Sequence, residues 1–178
     1  EIFTEVAKLI MQCDSAMLNL LDGACQYTIS GVGENFDPLL GVPQNMTFCQ
    51  FALIAPEPVL VPDASKDQRF AGTPLTKPPL NCRGYAGFPL NTTDGVVLGT
   101  LCGTHPEPLI LTDTQIRMMR KLATAAAGQI QTMVEQSNLT ASRVAGMLGK
   151  FQQFAPDGTI DELIGFLDFC ARGTTLPE

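Results

Sequence analysis

Cysteines, a lone histidine and a short run of opposite charges are the residues of this chain whose chemistry could go beyond packing. The six cysteines stand at 13, 25, 49, 82, 102 and 170. None forms a Cys-x-x-Cys pair, and with His105 as the single histidine the donor set of a structural zinc is missing, so no metal is expected. Cys13, Cys49, Cys102 and Cys170 lie among apolar residues, where a free thiol packs as a small hydrophobe, and reduced structural thiols are the reading. His105 follows Cys102 by three residues and precedes Pro106 at a strand end. It suits either proton or haem chemistry or a plain surface position, and the surface reading is favoured. Asp63, Asp67 and Arg69 lie within seven residues of one another. The planar fork of Arg69 either pairs with Asp63 to staple a loop to the sheet edge or turns inward to meet an anionic ligand. Tyr85 carries a hydroxyl that needs a partner, in a ligand or in the neighbouring loop. No Ser/His/Asp arrangement, lysine-bearing glycine loop or paired carboxylates appear, so no catalytic residues are assigned.

These residues sit in a chain of 178, with 45% hydrophobic and 16% charged residues and a net charge of −7. That length suits one well-packed domain plus an appendage. The 11 basic residues are scattered, which argues against nucleic acid as a partner. No apolar run approaches the ~18 residues of a membrane span, and no signal peptide is visible. A cytoplasmic protein is expected, and the sequons at Asn45, Asn91 and Asn138 are read as coincidence. The opening at Glu1 without a methionine leaves room for an upstream segment.

Positioning these groups requires a set of helices and strands. Ile2, Phe3, Val6, Leu9 and Ile10 have helical spacing. Ala16 to Leu21 and Cys25 to Gly31 form a hairpin around Asp22-Gly23. Residues 35–44 are read as loop, and Thr47 to Ala55 as a short helix closed by Pro56 and Pro58. Val59 to Val61 is a strand, and the irregular stretch Pro62 to Asn81 is long enough to be functional or lid-like. A second hairpin, RGYAGFPL then VVLGTLCG, turns at Asp94-Gly95. Its internal glycines Gly84, Gly87, Gly99 and Gly103 imply that something approaches closely: a helix, a ligand or a partner. Thr112 and Gln115 form a capping box at the head of a long helix. Met119, Ala123, Ala126, Ile130, Met133, Ser137, Thr140, Val144, Met147, Phe151 and Phe154 make a heptad seam along it. A second capping box, Thr159 with Glu162, opens a shorter helix, completing a C-terminal helical hairpin. Antiparallel strands with helices gathered on one face define an α+β fold.

Five stretches in order carry a family likeness: TFCQFAL (47–53), VLVPDASKDQRFAGTPL (59–75), RGYAGFPL (83–90), DGVVLGTLCG (94–103) and LTDTQIRMMRKLA (111–123). With them the chain resembles a GAF domain of the bacterial signal-transduction subfamily found in sensor histidine kinases and diguanylate cyclases. The match departs at Gly103-Thr104-His105 and fades over Thr73 to Asn81. The resemblance implies a GAF/PAS-like antiparallel sheet flanked by helices, with a ligand pocket on one sheet face and the terminal helices on the other. It also implies a non-catalytic sensory role, with residues 1–130 as the GAF domain and 131–178 as a signalling and dimerisation extension. An unidentified small molecule is the expected ligand, with no cofactor. The pocket candidates are Phe48, Cys49, Ala52, Asp63, Arg69, Phe70, Tyr85, Gly87 and Cys102, with Phe70 expected to anchor the loop.

Two kinds of GAF protein do covalent work. Bilin photoreceptors attach a tetrapyrrole through a cysteine that a histidine follows directly, and no cysteine here precedes a histidine. Free methionine-(R)-sulfoxide reductases use cysteines around the pocket, and Cys49 and Cys82 resemble two of them. That enzyme is the alternative function; a dimerisation module with a vestigial pocket is another. A homodimer through the C-terminal helices is expected, since the helix from Asp113 to Phe154 would run about 60 Å at ~1.5 Å per residue, beyond what the sheet can cover.

Overall fold

The computed structural model describes residues 1–33, 41–54, 57–78 and 80–154. Two compact units make up the chain, Glu1–Ile130 and Gln131–Glu178. In the first, helix α1 (Ile2–Met11) precedes strands β1 (Ser15–Leu21), β2 (Cys25–Val32), β3 (Gly41–Pro43), β4 (Val59–Val61), β5 (Gly84–Asn91) and β6 (Val97–His105). Helix α2 (Asp113–Phe154) comes after β6. The strands form one antiparallel sheet in the order β3-β2-β1-β6-β5-β4, the α+β architecture expected from the sequence.

Strand alternation assigns each sheet face a different task. Ala16 and Leu18 of β1, Leu101 of β6, and Ala86, Phe88 and Leu90 of β5 join Ala7 and Met11 of α1 and Met119, Ala123, Ala126 and Ala127 of α2 in one core. Each large aliphatic or aromatic side chain buried there contributes roughly 1.5–3 kcal/mol. The opposite face carries a second cluster, in which Val59 and Val61 of β4, Tyr85 of β5 and Cys102 of β6 meet Phe48, Cys49, Ala52, Ala64, Phe70 and Cys82.

The capping box forms as expected: the Thr112 amide donates to the Gln115 side chain at 2.9 Å, and the Gln115 amide donates back to the Thr112 hydroxyl at 3.3 Å. Gln115 Nε2 also donates to the Ile10 carbonyl at 2.7 Å, tying the head of α2 to the tail of α1. Both Asp-Gly turns are present, with Gly23 at φ 92° and Gly95 at φ 85°, where glycine suffers no Cβ penalty.

Two local expectations change. In the stretch read as a helix from Thr47, the described residues form a 3₁₀ turn, Cys49–Leu53, which follows another at Gln44–Met46 and is closed by short-range bonds such as Phe51 N to Phe48 O at 3.3 Å. Within the stretch read as loop, Gly41–Pro43 adds an edge strand against Cys25–Tyr27. The hairpin glycines meet the protein itself. A Cβ on Gly103 would lie 2.5 Å from Met11 and 2.7 Å from Cys13, and one on Gly84 would strike Leu109. The second helix from Thr159 lies outside the described residues.

Candidate functional site

The sheet face turned away from α1 and α2 floors a cavity of about 570 Å³. Its register explains the lining: Met17 of β1 pairs with Cys102 of β6, and Cys102 with Gly87 of β5, while Asn19 pairs with Thr100. Ser15, Met17 and Asn19 of β1, Gln26 and Thr28 of β2, Tyr85 of β5, and Cys102 and Thr104 of β6 form the floor. Phe48 and Cys49 wall one side, and Pro74, Leu75 and Leu80 to Cys82 come from the long loop. That loop is held by Phe70, whose ring meets Phe48 at 4.5 Å and Phe51 at 4.9 Å, and by the Cys82 amide donating to the Leu75 carbonyl at 2.9 Å. The volume falls in the ordinary range of small-molecule sites.

Polar groups on the floor converge on two sulfurs. Asn19, fully buried, donates through Nδ2 to Cys102 Sγ at 3.3 Å and to Cys49 Sγ at 3.5 Å. Its Oδ1 accepts from the Thr28 hydroxyl at 2.7 Å, which fixes the amide's orientation. The Tyr85 hydroxyl donates to Cys49 Sγ at 3.3 Å, and the two sulfurs are 3.9 Å apart. The Cys102 thiol hydrogen bond, with help from Thr100, Tyr85 and Asn19, outweighs burial and lowers Cys49 to about 7. The same bond, together with burial, holds Cys102 well above the usual thiol range. Burial likewise raises Tyr85 well above its ordinary value and Cys82 to about 11. Thr100 has no properly directed hydrogen bond for its buried hydroxyl, so its contribution to Cys49 is one of proximity.

Among the described residues no lysine or arginine lines the cavity, and Asp14 at its rim is the one carboxylate there. Gln26 Oε1 and His105 Nδ1, on two lining residues, are buried with no partner among the described residues.

Of the residues singled out from sequence, Phe48, Cys49, Tyr85 and Cys102 line the cavity. Ala52 and Phe70 pack behind its wall, and Gly87 lies beneath the Tyr85 hydroxyl. Asp63 and Arg69 are not brought to it, and the Asp63–Arg69 staple is not formed. Asp63 pairs with Arg83 at 2.6 Å and Arg69 with Asp67 at 2.7 Å. The reason is register: β4 and β5 pair Val61 with Tyr85, so two residues further out Asp63 falls opposite Arg83. Arg69 instead lies over the Phe51 and Phe70 rings, 5.5 and 4.8 Å from their centroids. His105 is at the cavity rim and not a surface ornament. Sequence reasoning missed Met17, Asn19, Gln26 and Thr28; the signal for Asn19 was one amide inside the apolar run AMLNLL.

The architecture is thus a six-stranded antiparallel sheet with terminal helices on one face and a walled cavity on the other. The chain belongs to the GAF domain family, whose family model matches residues 1–130. It is 29% identical over 137 residues to a cyclic di-GMP phosphodiesterase of Pseudomonas aeruginosa, covering 75% of this chain and 23% of that protein. The chain thus spans about a quarter of that relative's length. Among solved structures, the GAF domain of an Acinetobacter phosphoenolpyruvate-protein phosphotransferase superposes with TM-score 0.63 at 18% identity, over 77% of this chain and 82% of the other. The GAF-B domain of DevS from Mycobacterium smegmatis gives 0.59 at 18% identity, over 78% and 94%. The blue-light absorbing PixJ GAF domain of Thermosynechococcus elongatus gives 0.60 at 16% identity, over 80% and 88%. At these identities the likeness is one of fold. No helix among the described residues is long and apolar enough to cross a membrane.

Proposed function

We propose that this GAF domain is a non-catalytic sensory module that takes one small, uncharged organic molecule into its cavity. Occupancy is passed through the sheet to α1 and α2. The observation that carries this reading is the division of labour between alternate residues of one strand: Met17 and Asn19 line the cavity while Ala16 and Leu18 pack in the helix-facing core. A ligand that shifts the first set tilts the second, biasing two arrangements of the terminal helices. The lack of lysine or arginine among the described lining residues argues against a phosphate-bearing ligand, which wants charge-assisted donors. The likeness to a cyclic di-GMP phosphodiesterase supports a place for the domain in cyclic-dinucleotide signalling, as regulator and not as nucleotide binder. A cytoplasmic, homodimeric setting, joined through α2 and the C-terminal residues beyond it, completes the proposal. Native mass spectrometry of the protein as purified from cells, beside Leu75→Trp, tests it. A single small adduct on the parent that the indole excludes is the expected result; adducts of equal occupancy on both proteins speak against this cavity.

A further inference from the structure

Cys49 and Cys102 differ from the other buried thiols of the domain. Cys13 Sγ donates to the Ser15 carbonyl at 3.2 Å and Cys82 Sγ to the Gly84 carbonyl at 3.5 Å, each occupied by the backbone. The Cys49 and Cys102 sulfurs instead face each other across 3.9 Å, both on the cavity lining and both touched by the Asn19 amide. They are 3% and 1% exposed, so only a molecule small enough to enter the cavity reaches them.

We infer that Cys49 and Cys102 form an oxidisable dithiol whose substrate is a small hydroperoxide, hydrogen peroxide or an organic peroxide. The Cys49 thiolate attacks the terminal oxygen, the O–O bond breaks, and the departing alkoxide or hydroxide leaves as alcohol or water with a proton from solvent or a neighbouring group. Cys49 is then a sulfenic acid. Cys102 attacks that sulfur, the S–O bond breaks, and the hydroxyl leaves as water carrying the Cys102 proton. In sum, two thiols and one hydroperoxide give a disulfide, an alcohol and water, a two-electron oxidation of the pair. Tyr85 and Asn19 position the nucleophile through their bonds to Cys49 at 3.3 and 3.5 Å.

Closure to the ~2.05 Å of a disulfide requires about 2 Å of movement. Cys102 sits mid-sheet with strands on both sides, whereas Cys49 opens the 3₁₀ turn Cys49–Leu53. Cys49 therefore moves, drawing Phe48 and the cavity wall toward β6. The sulfoxide reductase alternative pairs Cys49 with Cys82; geometry favours Cys102 as the resolving thiol. The dithiol shares the cavity of the proposed ligand but needs no resident ligand, so either reading can fail alone.

The test uses the full chain, reduced, desalted and treated with hydrogen peroxide or cumene hydroperoxide, with intact mass and peptide mapping as readouts. Loss of two hydrogen atoms and a cross-linked peptide joining Cys49 to Cys102 are expected. In Cys102→Ser the reaction stops at a dimedone-trapped sulfenic acid on Cys49, and Cys49→Ser shows neither product. The map of the unmutated chain decides even where a variant fails to fold. No loss of hydrogen, or a cross-link from Cys49 to Cys82, overturns the inference.

Discussion

The Tyr85 hydroxyl occupies the space that a side chain at Gly87 would fill. The two residues lie on one face of β5, and the missing Cβ lets the Tyr85 ring lie along the strand and donate to Cys49 at 3.3 Å. The glycine in AGFPL is therefore a device for aiming a hydroxyl at a sulfur. Gly87→Ala is expected to push Tyr85 off that line, destabilising the domain by about 1–3 kcal/mol in urea unfolding.

Tyr85→Phe removes the same hydrogen bond without the clash. Because the bond favours the ionised thiol, its loss raises Cys49 above about 7. Iodoacetamide labelling of Cys49 as a function of pH should show its midpoint move upward, with a stability loss of about 1 kcal/mol. Gly87→Ala should shift the midpoint the same way. An unchanged midpoint in both variants would mean that Tyr85 does not tune the thiol.

Asp63 is held well below the ordinary carboxylate range, first by the Arg83 side chain and then by Ser65. A depressed carboxyl contributes stability that is present above the unfolded value of ~3.9 and is lost as pH falls below it. Asp63→Asn should therefore melt lower than the parent at pH 7, and the gap should narrow steadily below about pH 4. Melting curves at pH 7, 4 and 3 check this; a gap independent of pH removes the ion pair as its cause.

Charge in the cavity makes a ligand prediction. Cyclic di-GMP at millimolar concentration should leave the melting temperature of the domain unchanged, because no basic side chain among the described residues lines the cavity to meet its phosphates. A saturable rise in melting temperature would show that another surface, or a rearranged cavity, binds the nucleotide. The purified protein should also be colourless, since no cysteine precedes a histidine.

Assembly is a separate matter from the pocket. Met133, a seam position on α2, is 60% exposed. Sedimentation should show a dimer for the full chain and a monomer for a version ending near Gln136. Monomers from both would place the signalling contact elsewhere.

Much of this architecture is legible in the sequence because alternation and turn chemistry are local. Asp22-Gly23 and Asp94-Gly95 mark both long hairpins, and Thr112 with Gln115 marks the head of α2. The pocket is less legible because register is non-local. Asp63 and Arg69 are close in sequence, yet antiparallel pairing places Asp63 against Arg83, twenty residues away. Cys49 and Cys102 are separated by 53 residues and meet only because a 3₁₀ turn folds over the middle of β6. The glycines of the second hairpin are a further case: their spacing announces close approach but not its agents, which prove to be α1 with Cys13 behind it, β1 at Asn19, the segment after β6, and Tyr85.

Whether the cavity on the β1/β6 face takes small uncharged molecules and reports to the helices is decided by a two-dimensional amide NMR titration with neutral and anionic fragments. Neutral fragments alone are expected to bind, at one site shifting Met17, Asn19 and Cys102 together with Ala7 and Met11 of α1, and Leu75→Trp is expected to abolish the shifts. Binding by anionic fragments, or shifts that survive the tryptophan or stop short of α1, would contradict it.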